Sequence, residues 1–434
     1  MSSPGPGAPA AGRSKILAWA LWDFGAVGLI AIVATFVYPV YLTSTVGANL
    51  GGGTSAASWL GRTLTVAGVT VALLAPLTGV LVQAPQRRRA ALALLTVLAA
   101  LATSAMSLIR AEPAYFAAGL VLLACTTACT DIASVPYNSL LKQLTTPQNA
   151  GRISGLGAGA AFLGSVVFLI IVYVGFIGGT GPTRGLVGVP AADGQNVRAA
   201  MLVTAVCFAI MALPLLRTAH TLTPVGVPDP APTSVLGGYR QLWRDLKSEW
   251  NRDHNLVYYL LVSAVFRDGL AGIFAFGAVL GVSVYGVSQS DVLIFGVVAS
   301  TVAATGAVIG GLLDDRIGGK RVIVGGLTAL IIVALALLSL SGPIAFWACG
   351  LLLCLFIGPV QSAARTLLLR MAGPGKDAVA FGLFTMAGRA AAFLAPWLFF
   401  VFVDAFGADR AGLGGICVVL VAGLLGMLVV RVPR

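Results

Sequence analysis

Six charged side chains define the chemistry open to this chain. Arg267, Arg365 and Arg389, with Asp23, Asp131 and Asp268, each stand inside a long run of otherwise apolar residues. In "FRDGLAGIFAFG", Arg267 and Asp268 are adjacent, and they are the only charges between Leu256 and Tyr285. A charge facing hydrocarbon costs a few kcal/mol or more. Three bases and three acids that cancel are therefore expected to meet in one shared polar interior. Consecutive helical residues point about 100° apart, so Arg267 and Asp268 are expected to find separate partners, the alternative being a structural ion pair that only packs helices. Arg389 lies about 11 residues into its run, roughly 16 Å at 1.5 Å per residue, close to a membrane midplane. A guanidinium there can hold a carboxylate or phosphate bidentately, which makes Arg389 the candidate for an anionic group on a bound solute. Trp22, Asp23, Asp131 and Arg365 join it as candidate solute contacts, and Asn138 and Gln361 add neutral hydrogen bonds. Asp268 lies about 12 residues, or roughly 18 Å, into its run. Desolvation there favours a neutral carboxyl and a nearby cation an ionised one, so Asp268, with Arg267 beside it, is the candidate for carrying a proton. Asp23 and Asp131 stand in reserve for that role.

The elements that must position these residues are membrane helices. Of the 434 residues 58% are hydrophobic and only 10% charged, with a mean hydropathy of +0.96, far from the roughly 25% charged content of soluble domains. About twelve apolar blocks are long enough to cross a bilayer, which takes roughly 20 residues; the first runs from Ile16 to Tyr41, the seventh from Leu256 to Val284 and the eleventh from Ala378 to Val403. Basic residues in short loops mark the cytoplasmic side. With both termini inside, 19 bases fall in inside segments and 5 outside, so topology accounts for the net charge of +12 and excludes nucleic acid as a partner. The expected organisation is a cytoplasmic tail at 1–15, a first six-helix bundle at 16–217, a cytoplasmic linker at 218–255, a second bundle at 256–430 and a tail at 431–434. Within the linker, Tyr239, Trp243, Leu246 and Trp250 share one helical face while Arg240, Arg244, Lys247 and Glu249 occupy other faces, the pattern of a helix lying in the interface.

The halves repeat each other. "GGLLDDRIGGKR" places Gly311, Asp315, Arg316, Gly318, Lys320 and Arg321 after the eighth block, and "GVLVQAPQRRR" after the second keeps the register in degraded form, with Gly79 and Arg88. Gly79, Arg88, Gly311, Asp315, Arg316, Gly318 and Arg321 form the candidate gating set. Asp315 is expected just beyond the eighth helix, where the helix dipole disfavours it, so a cation or the N-terminus of a neighbouring helix should hold it. "VPYNSLLK" and "GPVQSAAR" also correspond, setting Asn138 opposite Gln361 and Lys142 opposite Arg365. Repeated halves with polar residues deep in their helices are a common build of secondary transporters. The six cysteines form no Cys-x-x-Cys pair and the two histidines lie in the linker, so no metal, cofactor or enzymatic centre is expected. Gly155 to Gly159, "GLGAG", is read as a surface for close helix packing.

The Gly-x-x-x-Asp-Arg-x-Gly-x-Lys-Arg loop, the twelve blocks and the central linker resemble the major facilitator superfamily. "YNSLLKQL", "GRISGLGAGAAFLG", "FRDGLAGIFAFG", "GPVQSAARTLLLRMAGP" and "FGLFTMAGRAAAFLAP" resemble its vacuole-effluxer branch, whose fungal members export amino acids. The resemblance implies an all-α integral membrane fold of twelve helices in two pseudo-symmetric six-helix bundles. It also implies alternating-access transport of a small solute, an amino acid or similar, in the efflux direction; the carrier is expected to be facilitative or driven by an ion gradient, with the proton as the candidate coupling ion through Asp268. The chain departs from the branch at Phe24, Gly25, Ala26 and Val27, which follow Asp23 without the usual polar side chains, and at Arg267 and Arg389. It is expected to act as a monomer in the plasma membrane of a bacterium. The competing readings are a lipid or lipid-conjugate flippase of the same fold, and a receptor that does not transport.

Overall fold

The computed structural model describes residues 12–432, apart from 49, 51–55, 83, 147, 180, 220–236, 241–242, 245–246, 248–249, 251–253, 288 and 374. Apolar runs in a medium without water must satisfy every peptide group internally, which selects helices. Among the described residues twelve helices are long and apolar enough to cross a membrane: Arg13–Val46, Ser58–Leu81, Gln86–Leu108, Pro113–Leu144, Ala150–Ile177, Ala192–Thr218, His254–Gly277, Ile294–Ile317, Gly319–Ser339, Pro343–Met371, Asp377–Phe406 and Ala411–Val429. They are called spans 1 to 12. Span 1 starts at Arg13, inside the expected tail, and the rest of that tail and much of the linker, with Leu246, lie outside the described residues. The described linker residues 237–240, 243, 244, 247 and 250 are helical, with Trp243 and Trp250 exposed.

In the first bundle, span 1 packs on spans 5 and 6, span 4 on spans 2 and 3, and span 3 on span 6. The second bundle repeats every pairing: span 7 on 11 and 12, span 10 on 8 and 9, span 9 on 12. The crossings between bundles repeat as well, span 5 meeting 8 and 10 as span 11 meets 2 and 4. These crossings use small residues. A Cβ on Gly155 would stand 2.5 Å from the Ala307 carbonyl oxygen, and one on Gly79 2.5 Å from that of Ala378. The "GLGAG" stretch and Gly79 therefore let backbones touch across the interface. Gly318, with φ 89°, turns the chain between spans 8 and 9 in a conformation that a side chain would disfavour.

Two expected elements differ. Asp315 is not beyond the eighth helix but within it, because the helix continues to Ile317. Span 11 is not one helix: Asp377–Ala391 and Leu394–Phe406 are separated at Ala392 and Phe393. Pro396 explains the break, since it has no N–H to give the carbonyl of Ala392 and its ring crowds that group. Within the first turn of the second half it is well placed, because amides there lack helical partners anyway.

Candidate functional site

The two bundles meet through charged contacts on the side of the basic loops. Asp315 of span 8 accepts hydrogen bonds from the backbone N–H of Gly151 at 2.7 Å and Arg152 at 2.8 Å, the first turn of span 5. A carboxylate suits that position, where a helix exposes unpaired donors and the positive end of its dipole. Arg370 of span 10 reaches the same carboxylate at 3.6 Å and donates to the neighbouring Asp314 at 2.6 Å. Asp315 thus has both kinds of partner expected for it. The cation is Arg370, not a residue of the loop motif. Arg316 and Arg321 are exposed, with Arg321 donating to Ile317 O at 3.4 Å. Sequence reasoning passed over Arg370 and Asp314; the available signals were a doubled acid on an apolar helix and a second arginine five residues after Arg365. Arg88 is buried and its Nε donates to Val82 O at 3.1 Å, which braces the turn after span 2.

The cations of the repeated "Pro-x-amide-Ser-x-x-cation" stretches both cross to the opposite bundle. Lys142 of span 4 pairs with Asp377 at the start of span 11, at 3.2 Å. Arg365 of span 10 pairs with Asp23 of span 1 at 3.0 Å, both side chains under 15% exposed. Deeper still, Arg389 of span 11 pairs with Asp131 of span 4, and these two are more open, at 40% and 26%. Ser154 of span 5 donates to Ser362 O of span 10 at 2.9 Å. Four of the six intramembrane charges therefore meet between the bundles. The acids belong to the first bundle and the bases to the second.

The carboxylate of Asp23 stands on a rigid plate. Trp19 and Trp22 stack on the Tyr137 ring, with centroids 4.8 and 4.4 Å away, and their indole N–H groups donate to Tyr137 O and Thr96 Oγ1 at 3.2 and 3.0 Å. Burial and offset stacking of this kind fix span 1 against spans 3 and 4. Trp22 is consequently 1% exposed inside its own bundle. Its contacts with Tyr137, Phe208 and Thr96 all lie within the first bundle. Asn138 donates to Ser134 O at 2.8 Å, while its Oδ1 is buried with no partner among the described residues. Gln361 is half-buried on span 10, four residues before Arg365.

The hydrogen bonds of Arg267 and Asp268 stay within the second bundle. Among the described residues Asp268 pairs with no cation, contrary to expectation. Its Oδ2 accepts from the Ala395 N–H at 2.5 Å, at the start of the second half of span 11. Arg267 turns to the first half of that span: it donates to Phe384 O at 3.1 Å, and its guanidinium lies 3.7 Å from the Phe384 ring centroid. The separate partners expected for the two residues are the two halves of one broken helix. No group of three or more potential metal ligands occurs among the described residues; Cys125 and Cys129 lie 4.0 Å apart on span 4 as free thiols.

Comparison with known proteins gives a consistent result. The family model described as the Major Facilitator Superfamily matches residues 24–396. The uncharacterized MFS-type transporter YxiO of Bacillus subtilis (strain 168) is 21% identical over 409 residues, covering 94% of this chain and 92% of its own. Among solved structures, the proton:xylose symporter XylE bound to 6-bromo-6-deoxy-D-glucose aligns with a TM-score of 0.71 at 13% identity, covering 96% of both chains. FucP in the outward conformation gives 0.66 at 13%, covering 97% and 100%. A bacterial homologue of the iron transporter ferroportin in an outward-facing state gives 0.66 at 14%, covering 96% and 97%.

Proposed function

Since the chain belongs to the major facilitator superfamily, we propose that it carries a small zwitterionic solute, an amino acid or similar, between its bundles by alternating access, with a proton as coupling ion. The observation behind the reading is the pair of ion pairs that cross the interface, Asp23 with Arg365 and Asp131 with Arg389. A solute bearing an ammonium and a carboxylate can replace each partner in turn, the ammonium facing the acids of the first bundle and the carboxylate the guanidinium groups of the second. Asn138 Oδ1 supplies a hydrogen-bond acceptor that no described residue uses, and Gln361 lies on the facing helix.

Coupling then belongs to Asp131 or Asp23 and not to Asp268. Those two lose a cation when the bundles part, and a proton can then take the cation's place on the carboxylate. Asp268 is held by an amide within its own bundle. Basic loops face the cytoplasm, which puts the sealed end of the interface inside and the termini with it, and the membrane is the plasma membrane. This conformation is then outward-facing, like the FucP and ferroportin-homologue structures similar to it. The resemblance to the vacuole-effluxer branch favours export.

Purified protein in liposomes, tested with a panel of labelled amino acids and an internal pH dye, checks the reading. Flux of at least one zwitterion is expected, with its accompanying proton movement lost in Asp131→Asn, or in Asp23→Asn if that carboxyl is the coupling one. Arg389→Lys should raise the KM for that solute roughly tenfold or more, because an ammonium cannot reproduce the guanidinium fork. Flux of lipid analogues and no flux of any zwitterion would establish the flippase reading in its place.

A further inference from the structure

Span 7 has an acid and a base side by side in apolar surroundings, and the hydrogen bonds of both go to their own bundle. Both grip span 11. Asp268 takes the Ala395 amide at 2.5 Å and Arg267 the Phe384 carbonyl at 3.1 Å, so the two contacts lie on either side of the break at Ala392 and Phe393. The signs are matched to their tasks. A carboxylate accepts from the unpaired amides that open a helix, and a guanidinium donates to a carbonyl and covers an aromatic face. Small residues admit both jaws. A Cβ on Gly388 would stand 3.0 Å from the Arg267 guanidinium, and one on Gly272, four residues after Asp268, 2.8 Å from the Ala395 methyl. Pro76, Pro136, Pro214 and Pro359 sit inside continuous helices. Pro396 is distinguished by the acceptor that Asp268 brings to the first turn beyond the break.

Arg389 lies next to Gly388 and three residues before the break, on the segment between the two jaws. We propose that Arg267 and Asp268 are positioning residues: they clamp the two halves of span 11 at a fixed angle and so set where the Arg389 guanidinium meets Asp131. The inference rests on the reading of Arg389 as a solute contact for its importance to transport, but the clamp itself is tested without solute.

Double-mutant cycles on the full-length protein in detergent, read as shifts in melting temperature, provide the test. Arg389→Ala removes the ion pair with Asp131. Its shift should fall to less than half in an Asp268→Ala background, while the shift from Arg365→Ala, which breaks the neighbouring pair with Asp23, stays the same. Arg267→Gln opens the other jaw and should weaken the same coupling, which keeps the test available if Asp268→Ala does not fold. Hydrogen exchange adds a local reading. The Ala395 amide, with its neighbours at Leu394 and Trp397, should exchange roughly tenfold faster in Asp268→Ala, the loss of one charge-assisted hydrogen bond, and regain protection in Asp268→Asn, whose amide oxygen can still accept. Additive shifts at Arg389, or equal loss of coupling at Arg389 and Arg365, overturn the proposal. Fast exchange in Asp268→Asn does so too.

Discussion

Asp315 and Gly151 belong to different bundles and are joined by a hydrogen bond of 2.7 Å, made by a carboxylate to the first turn of a helix it does not belong to. The contact exists only while the basic-loop ends of spans 5 and 8 are together. Removing the charge in Asp315→Asn should weaken it by about 1 kcal/mol, the usual worth of a charged cap, which is roughly a fivefold change in the balance of conformations. Ser154, fully buried where span 5 meets span 10, offers the reporter. In a background with the native cysteines replaced, Ser154→Cys should react with a membrane-impermeant thiol reagent several times faster when Asp315→Asn is added. An unchanged rate would remove Asp315 from the gate.

Gly155 gives the same equilibrium a steric test. A Cβ there meets the Ala307 carbonyl at 2.5 Å, and neither partner is a flexible side chain. Gly155→Val should push spans 5 and 8 apart and shift the protein toward the conformation open at the basic loops, without unfolding either bundle. The same cysteine labelling should report a larger increase than for Asp315→Asn. Equal labelling of Gly155→Val and the parent would show that the crossing relaxes without opening.

The pair of Asp23 and Arg365 is the more desolvated of the two deep pairs, so its loss is the more costly for folding. Asp23→Asn leaves a buried guanidinium uncompensated, a change that destabilises proteins by about 3–5 kcal/mol. Asp23→Asn with Arg365→Gln should be distinctly less destabilising than the sum of the two single changes, as read from thermal unfolding. Additive behaviour would mean that the two side chains do not pair in the folded protein in solution.

Much of this was legible in the sequence because membranes make composition decisive. The twelve spans, the packing role of the small residues around Gly155 and the meeting of intramembrane charges all follow from the expense of exposing polarity to hydrocarbon. What escaped was partner choice. Nothing in "FRDGLAGIFAFG" says that Asp268 will take a backbone amide, because the amide becomes available only when span 11 breaks. Pro396 announces that break no more clearly than four other prolines that do not cause one. Trp22 is a similar case: its position beside Asp23 is local, but a helix sends neighbours to different faces, and only the stacking on Tyr137 shows that Trp22 packs within its own bundle. Arg370 and Asp314 went unread because their relation spans two helices with no shared motif.

The partition of charge in the two deep pairs, Asp23 and Asp131 on one bundle and Arg365 and Arg389 on the other, makes the opening cavity behave like a capacitor. Parting the bundles draws two negative groups away from two positive ones and raises a field between the walls. A molecule of one sign neutralises a single wall and leaves the other exposed, and an apolar molecule neutralises neither. A molecule with both signs quenches the field, provided its charges are separated by about the gap between the walls. Selection in such a carrier depends on the length of a dipole, so extending a solute by a methylene between its charged ends should matter more than adding one to its side chain.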